Sequence, residues 1–96
     1  MAKVNVTFGP RSAYGDLLLV ENSVSETIDL SDGEAHGASE IISGREFVRI
    51  LSDEDVAIAG DAETLDNTAN GVLVKADSPE YFKLGIGHQL FIKLVG

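Results

Sequence analysis

The sequence predicts an all-β fold: a small antiparallel sandwich or partly open barrel, jelly-roll-like, of about seven short strands. Three observations carry this prediction. Apolar and polar residues alternate with period two in several short runs. No stretch repeats apolar residues at i, i+3, i+4 and i+7 over three turns. Ten glycines divide the chain into pieces too short for ordinary helices. The 96 residues make one β domain, 1–96, with residues 1–20 read as an extended arm or edge strand. A domain of this size buries only about 60–65% of the surface its unfolded chain exposes, so packing against copies of itself would add stability.

Val4, Val6 and Phe8 alternate with Lys3, Asn5 and Thr7, the pattern of a half-buried strand that Gly9-Pro10 ends. Leu17-Leu18-Leu19-Val20 reads either as a strand buried on both faces or as an apolar contact segment. Val24, Thr27, Ile28 and Leu30 suggest the next strand, closed by the turn-forming Ser31-Asp32-Gly33. Residues 47–51 and 56–59 flank the polar Ser52-Asp53-Glu54-Asp55 and read as a hairpin with a four-residue loop. Residues 71–75 form a further strand. Residues 81–84 and 90–95, separated by Gly85-Ile86-Gly87-His88, read as a second hairpin, with Pro79 placed where a missing N–H is harmless. Weak helical signals at 34–43 and 61–69 are outweighed by the glycines, which favour turns.

Sixteen Asp and Glu against seven Lys and Arg give a net charge of −9, yet 44% of the residues are hydrophobic, so a packed core is expected. Residues 16–66 hold 14 acids and only Arg45 and Arg49, whereas the flanks hold Lys3, Arg11, Lys75, Lys83 and Lys93 against Asp77 and Glu80. Such segregation is either a set of solvated loops or a complementary pair of surfaces. Nucleic acid is excluded as a partner by the acidity. No run is long enough to cross a bilayer, and no basic start followed by an apolar stretch marks a secretory signal. Without cysteine there is no disulfide, thiol nucleophile or thiolate metal site.

Asp29, Ser31 and Glu40 fall at positions 1, 3 and 12 of a calcium-loop pattern, but Gly33 and Glu34 stand where that pattern needs an oxygen ligand and a glycine. The segment reads as a turn. Asp53, Glu54 and Asp55, with Asp61, Glu63 and Asp66, supply carboxylates for a cation or a glycosidase pair, and read more simply as loop acids. His36 and His88 form no HxH or HxxxH pair, Gly85-Ile86-Gly87 is too short to cradle phosphate, and Asn5-Val6-Thr7 is a bare glycosylation match. Tyr81, Phe82 and Phe91 read as packing of the last two strands. No residue is assigned a catalytic, cofactor-binding or metal-binding role, no cofactor is expected, and the chain is read as a non-enzyme.

The second half of the chain, 45–95, resembles a type of short protein encoded among the structural genes of tailed bacteriophages. The resemblance rests on Phe47-Val48-Arg49-Ile50, on Val56-Ala57-Ile58-Ala59-Gly60-Asp61-Ala62, on Gly71-Val72-Leu73-Val74, and on the run from Pro79-Glu80-Tyr81-Phe82 through Gly85-Ile86-Gly87 to Leu90-Phe91-Ile92. Relatives often carry a Pro-Gly turn where this chain has Gly85-Ile86-Gly87, and residues 1–44 carry no matching motif. The resemblance implies a virion component, a head decoration (cement) protein: made in the bacterial host cytoplasm, homotrimeric, and placed on the capsid surface across subunit junctions of the major capsid protein. Residues 2–8, as an edge strand, and 17–20 are the candidate contact segments. The alternatives are a head–tail joining or tail-side virion protein, and a small ligand-binding β module.

Overall fold

The fold is described from a computed structural model, which covers residues 2–9, 11–12, 15–18, 23–41, 47–83, 85 and 87–95. Ten strands follow in chain order: β1 (Lys3–Gly9), β2 (Arg11–Ser12), β3 (Gly15–Leu18), β4 (Val24–Asp29), β5 (His36–Ile41), β6 (Phe47–Ser52), β7 (Val56–Ala59), β8 (Val72–Val74), β9 (Glu80–Lys83) and β10 (Gln89–Leu94). Eight of them make two four-stranded sheets, ordered β4-β1-β6-β9 and β5-β10-β7-β8, while β2 and β3 pair with each other. Every pairing is antiparallel. The all-β sandwich is therefore what the alternation implied, with more strands than the sequence reading counted.

The pairing follows one rule. Taking β4 as the start and β1 as the end, the strands pair first with last and inward from there: β4 with β1, β5 with β10, β6 with β9, β7 with β8. That is a ribbon rolled into a jelly roll, with its final strand at the start of the chain. Inward side chains from both sheets share one core: Val4, Val6 and Phe8 of β1, Val48 and Ile50 of β6, Val56 and Ile58 of β7, Val74 of β8, Leu90 and Ile92 of β10, with Leu30 and Ala38.

Several expectations are corrected. Residues 47–51 and 56–59 are not a hairpin. β6 pairs with β1 and β9 in one sheet, β7 with β10 and β8 in the other, and residues 53–55 arch between the layers. Each strand buries one face, and facing sheets satisfy both faces at once, which a two-stranded ribbon cannot do. The second expected hairpin fails for the same reason: β9 lies at the edge of one sheet and β10 inside the other. Residues 2–8 are not an edge strand, because β1 sits between β4 and β6 with ladders on both sides. Residues 36–41 form β5 where turns were expected, and the outweighed helical signal at 61–69 is realised as two 3-10 turns, Glu63–Asp66 and Thr68–Asn70. Of residues 17–20, Leu17 and Leu18 lie in β3, and 19–20 fall outside the described residues.

Gly37 allows β5 to lie where it does. A Cβ there would stand 2.7 Å from Gln89 Nε2 and 2.9 Å from Phe91 Cε1, so any larger residue would displace side chains of the paired β10. Leu65, fully buried in the first 3-10 turn, covers the outer side of the second sheet next to the buried Ala57.

Candidate functional site

Four of the eight acids that the sequence offered as ligands, Asp29, Asp53, Asp55 and Asp61, hold the backbone instead. At the β4–β5 arch, Asp29 Oδ1 accepts from the Ser31 N–H (2.9 Å) and hydroxyl (2.6 Å), and Asp32 Oδ1 accepts from the Glu34 N–H (2.9 Å). These are Asx-type turns, in which a short carboxylate satisfies a donor two residues on. The Ser31 hydroxyl and N–H hold the Asp29 carboxyl below its ordinary value, and the Glu34 N–H and His36 do so for Asp32. The segment is the turn that the sequence reading took it for, with Asp29 bonded inside it. His36 Nε2 meets Asp32 Oδ1 and Oδ2 at 2.9 Å each, one imidazole on one exposed carboxylate.

The acids of the β6–β7 arch work over longer range. Asp53 Oδ1 accepts the Lys3 N–H at 2.8 Å, while the Asp53 N–H donates to the Lys3 carbonyl at 3.1 Å. Asp55 Oδ1 accepts the Ala76 N–H at 2.8 Å, its Oδ2 stands 3.5 Å from Lys75 Nζ, and its carbonyl accepts the Val95 N–H. The Ala76 N–H, followed by Lys75, keeps the Asp55 carboxyl below the usual range. Ser52 closes the knot through its carbonyl, which accepts the Asp77 N–H at 2.8 Å. One arch thus ties the first strand, the last strand and the link from β8 to β9.

Asp61 Oδ1 accepts the N–H (2.8 Å) and hydroxyl (2.9 Å) of Thr64 and fastens the first 3-10 turn, and both bonds lower its carboxyl. His88 is exposed in the turn between β9 and β10, where its N–H donates to the Gly85 carbonyl. Among the described residues no three His, Asp or Glu side chains converge on one point. Phe82 packs on the core, Phe91 lies half-buried over Gly37, and Tyr81 points outward, half exposed.

The most exposed hydrophobics lie on β8 and β9, with Val24 of β4 at 38% on the other flank, and sequence reading missed their exposure. The two sheets have two open sides, one bounded by β4 and β5, the other by β8 and β9. On the first, Glu26 of β4 reaches across to β5, taking the Ser39 N–H at 2.6 Å and its hydroxyl at 3.2 Å. The second side shows Val72 at 52% and Leu73 at 49% exposure, while Tyr81, at 50%, stands on the outer face of the first sheet. Leu73 stands opposite the buried Ala57 on the outer side of its sheet, and Val72 opposite the inward-facing Ile58. A three-residue run of uncharged β-formers was the available signal, but edge position is not written in it.

The outer face of the first sheet carries a second pattern. Asn5 and Thr7 of β1 and Ser25 and Thr27 of β4 form a ladder of side-chain hydrogen bonds at 3.1–3.5 Å. Beside it, Arg49 pairs in register with Tyr81, and Lys83 with Phe47, which gathers two of the chain's basic residues onto one strand face. The chain matches no family model, no curated protein and no solved structure among known proteins.

Proposed function

We propose that the chain is a protein-surface binder of the tailed-phage virion, a head decoration protein that clamps subunits of the major capsid protein. The observation that carries this reading is the β8 edge, where Val72 and Leu73 stand about half exposed on the two faces of an edge strand. Isolated exposed hydrophobics are ordinary, but two adjacent ones on an uncharged edge strand favour contact with another protein. The tied-down acids support it further: each of Asp29, Asp53, Asp55 and Asp61 serves the stiffness of the sandwich. A stiff body with one adhesive flank suits repeated binding to a symmetric shell, where many weak contacts add through effective concentration.

The decoration protein acts as a homotrimer. Its acidic arches meet the Arg49 and Lys83 face of the next copy, and such complementarity sets register more than affinity. Immunogold electron microscopy of the parent virion tests the location: label over the whole head is expected, whereas label confined to neck or tail favours the joining or tail-side reading. Light scattering behind size exclusion tests the assembly. A mass of three times 10.2 kDa that falls as salt rises is expected. A salt-independent monomer removes the trimer.

A further inference from the structure

On a chain of net charge −9, the β6–β9 half of the first sheet's outer face carries cations without acids. Its outward residues are Phe47, Arg49 and Leu51 on β6 and Tyr81 and Lys83 on β9, whereas Glu80 stands opposite the core residue Ile50 and so leaves the other face. Arg49 lies in one row with Thr7 of β1 and Tyr81 of β9. It is half-buried and has no hydrogen bond or ion pair among the described residues. A guanidinium presents five donors in a planar fork, is weakly hydrated, and takes a carboxylate through two parallel bonds. Lys93, another half-buried cation, differs because it shares its cleft with Asp66.

We propose that the Arg49 fork receives Glu54 of a second copy of the chain, in a head-to-tail ring. This rests on the reading of the protein as a homotrimer and names the group that joins one copy to the next. At the β6–β7 arch Asp53 is spent on the Lys3 N–H, and Asp55 on the Ala76 N–H and Lys75. Glu54, exposed between them, keeps a carboxylate that no donor among the described residues takes. Its backbone is nevertheless fixed. The Glu54 N–H donates to Ser52 Oγ at 3.3 Å, and its two neighbours bond to Lys3, Ala76 and Val95. An apex held in this way docks with little ordering cost. Glu34 also has a free carboxylate, but its arch is fastened mainly within itself, by Asp29 to Ser31 and by Asp32 to Glu34. The arch lies at the strand ends, whereas the Arg49 side chain leaves the sheet across the strand direction. One copy therefore presents the two patches to different neighbours, and such a heterologous contact builds a ring, as a trimer requires.

The test is a charge swap read by light scattering behind size exclusion over a dilution series. Wild type is expected at three times 10.2 kDa. Glu54→Lys and Arg49→Glu should each weaken association about tenfold or more, because like charges then meet across the contact. The double variant carrying both changes should regain most of that loss, and the control Glu34→Lys should leave association unchanged. Circular dichroism melting confirms which variants are folded. If Arg49→Glu does not fold, the cycle is run with Arg49→Gln, Glu54→Gln and their double, which should lose no more than either single variant. A trimer that the Arg49 and Glu54 variants leave intact, or that only Glu34→Lys disrupts, overturns the Glu54 contact and leaves the trimer reading standing. Losses that simply add in the double variant overturn the pair in the same way. A wild-type monomer or two-fold dimer overturns the trimer reading and the contact with it.

Discussion

The two flanks of the sandwich differ: the β4–β5 flank is built from six-residue strands bridged by a side chain, whereas the β8–β9 flank has strands of three and four residues and no such bridge among the described residues. At the β4–β5 flank a single carboxylate, Glu26, spans the layers and satisfies the outward N–H of Ser39. At the β8–β9 flank the corresponding space is bordered by Val72 on one side and Glu80 on the other. The open flank is nevertheless firmly supported. Leu65 is fully buried behind it, Gly71 is wedged where β8 begins, and Asp55 ties down the link that leaves it. Openness here is a property of the edge and not of weak packing. A rigid edge can accept a partner strand without the entropic cost of ordering itself first.

The sharpest way to break this comparison is to remove the support. Leu65→Ala deletes the side chain that covers the outer face of β7, and should cost about 2–5 kcal/mol in urea unfolding, since nothing else fills the space. A loss below 1 kcal/mol would mean that the flank is loosely backed after all. Gly71→Ala ranks next. Its Cβ would lie 2.8 Å from Leu65 Cδ2 and 3.0 Å from the Ile58 carbonyl, an overpacking expected to cost about 1–3 kcal/mol by the same measurement. At the β4–β5 flank, Glu26→Ala removes two charge-assisted bonds in a partly exposed setting, and a loss of about 1 kcal/mol is expected.

Acid probes both flanks together. Asp29, Asp32, Asp55 and Asp61 have depressed carboxyls, so their contribution is present above the unfolded value of about 3.9 and fades as pH falls through the lower folded values. Unfolding midpoints should be flat from neutral pH down to about pH 5 and drop below about pH 4, with Asp55→Asn reducing the size of that drop. The smallest effect belongs to the open edge itself. Leu73→Lys should change stability by no more than about 0.5 kcal/mol, because the replaced side chain is half in water. A large loss there would mean that Leu73 belongs to the core and offers nothing to a partner.

Much of the core was legible from alternation alone. Val4, Val6 and Phe8, and Val48 and Ile50, were placed inward by period two and are buried. Strand pairing was not legible, because alternation says which face is hidden and nothing about which neighbour supplies the ladder. Two polar loops of hairpin length therefore read as hairpins, although each carries the chain between layers. β5 was missed because, within Gly37-Ala38-Ser39, only Ala38 turns inward. Its place depends on room for the Phe91 and Gln89 side chains, which belong to a strand far along the chain. The acids were legible as turn formers at Asp29, where the partner is two residues away. At Asp53 and Asp55 the partners, Lys3 and Ala76, are 50 and 21 residues distant.

Composition, period-two patterning and turn chemistry determined by themselves that this chain is all-β and carries a net negative charge, because those properties depend on local preference and on the need to hide apolar side chains. Which strand became an edge, which acid became a staple and which hydrophobics stayed in water were decided only when two sheets closed over a common core. Those outcomes depend on contacts between residues tens of positions apart, and local sequence holds no record of them.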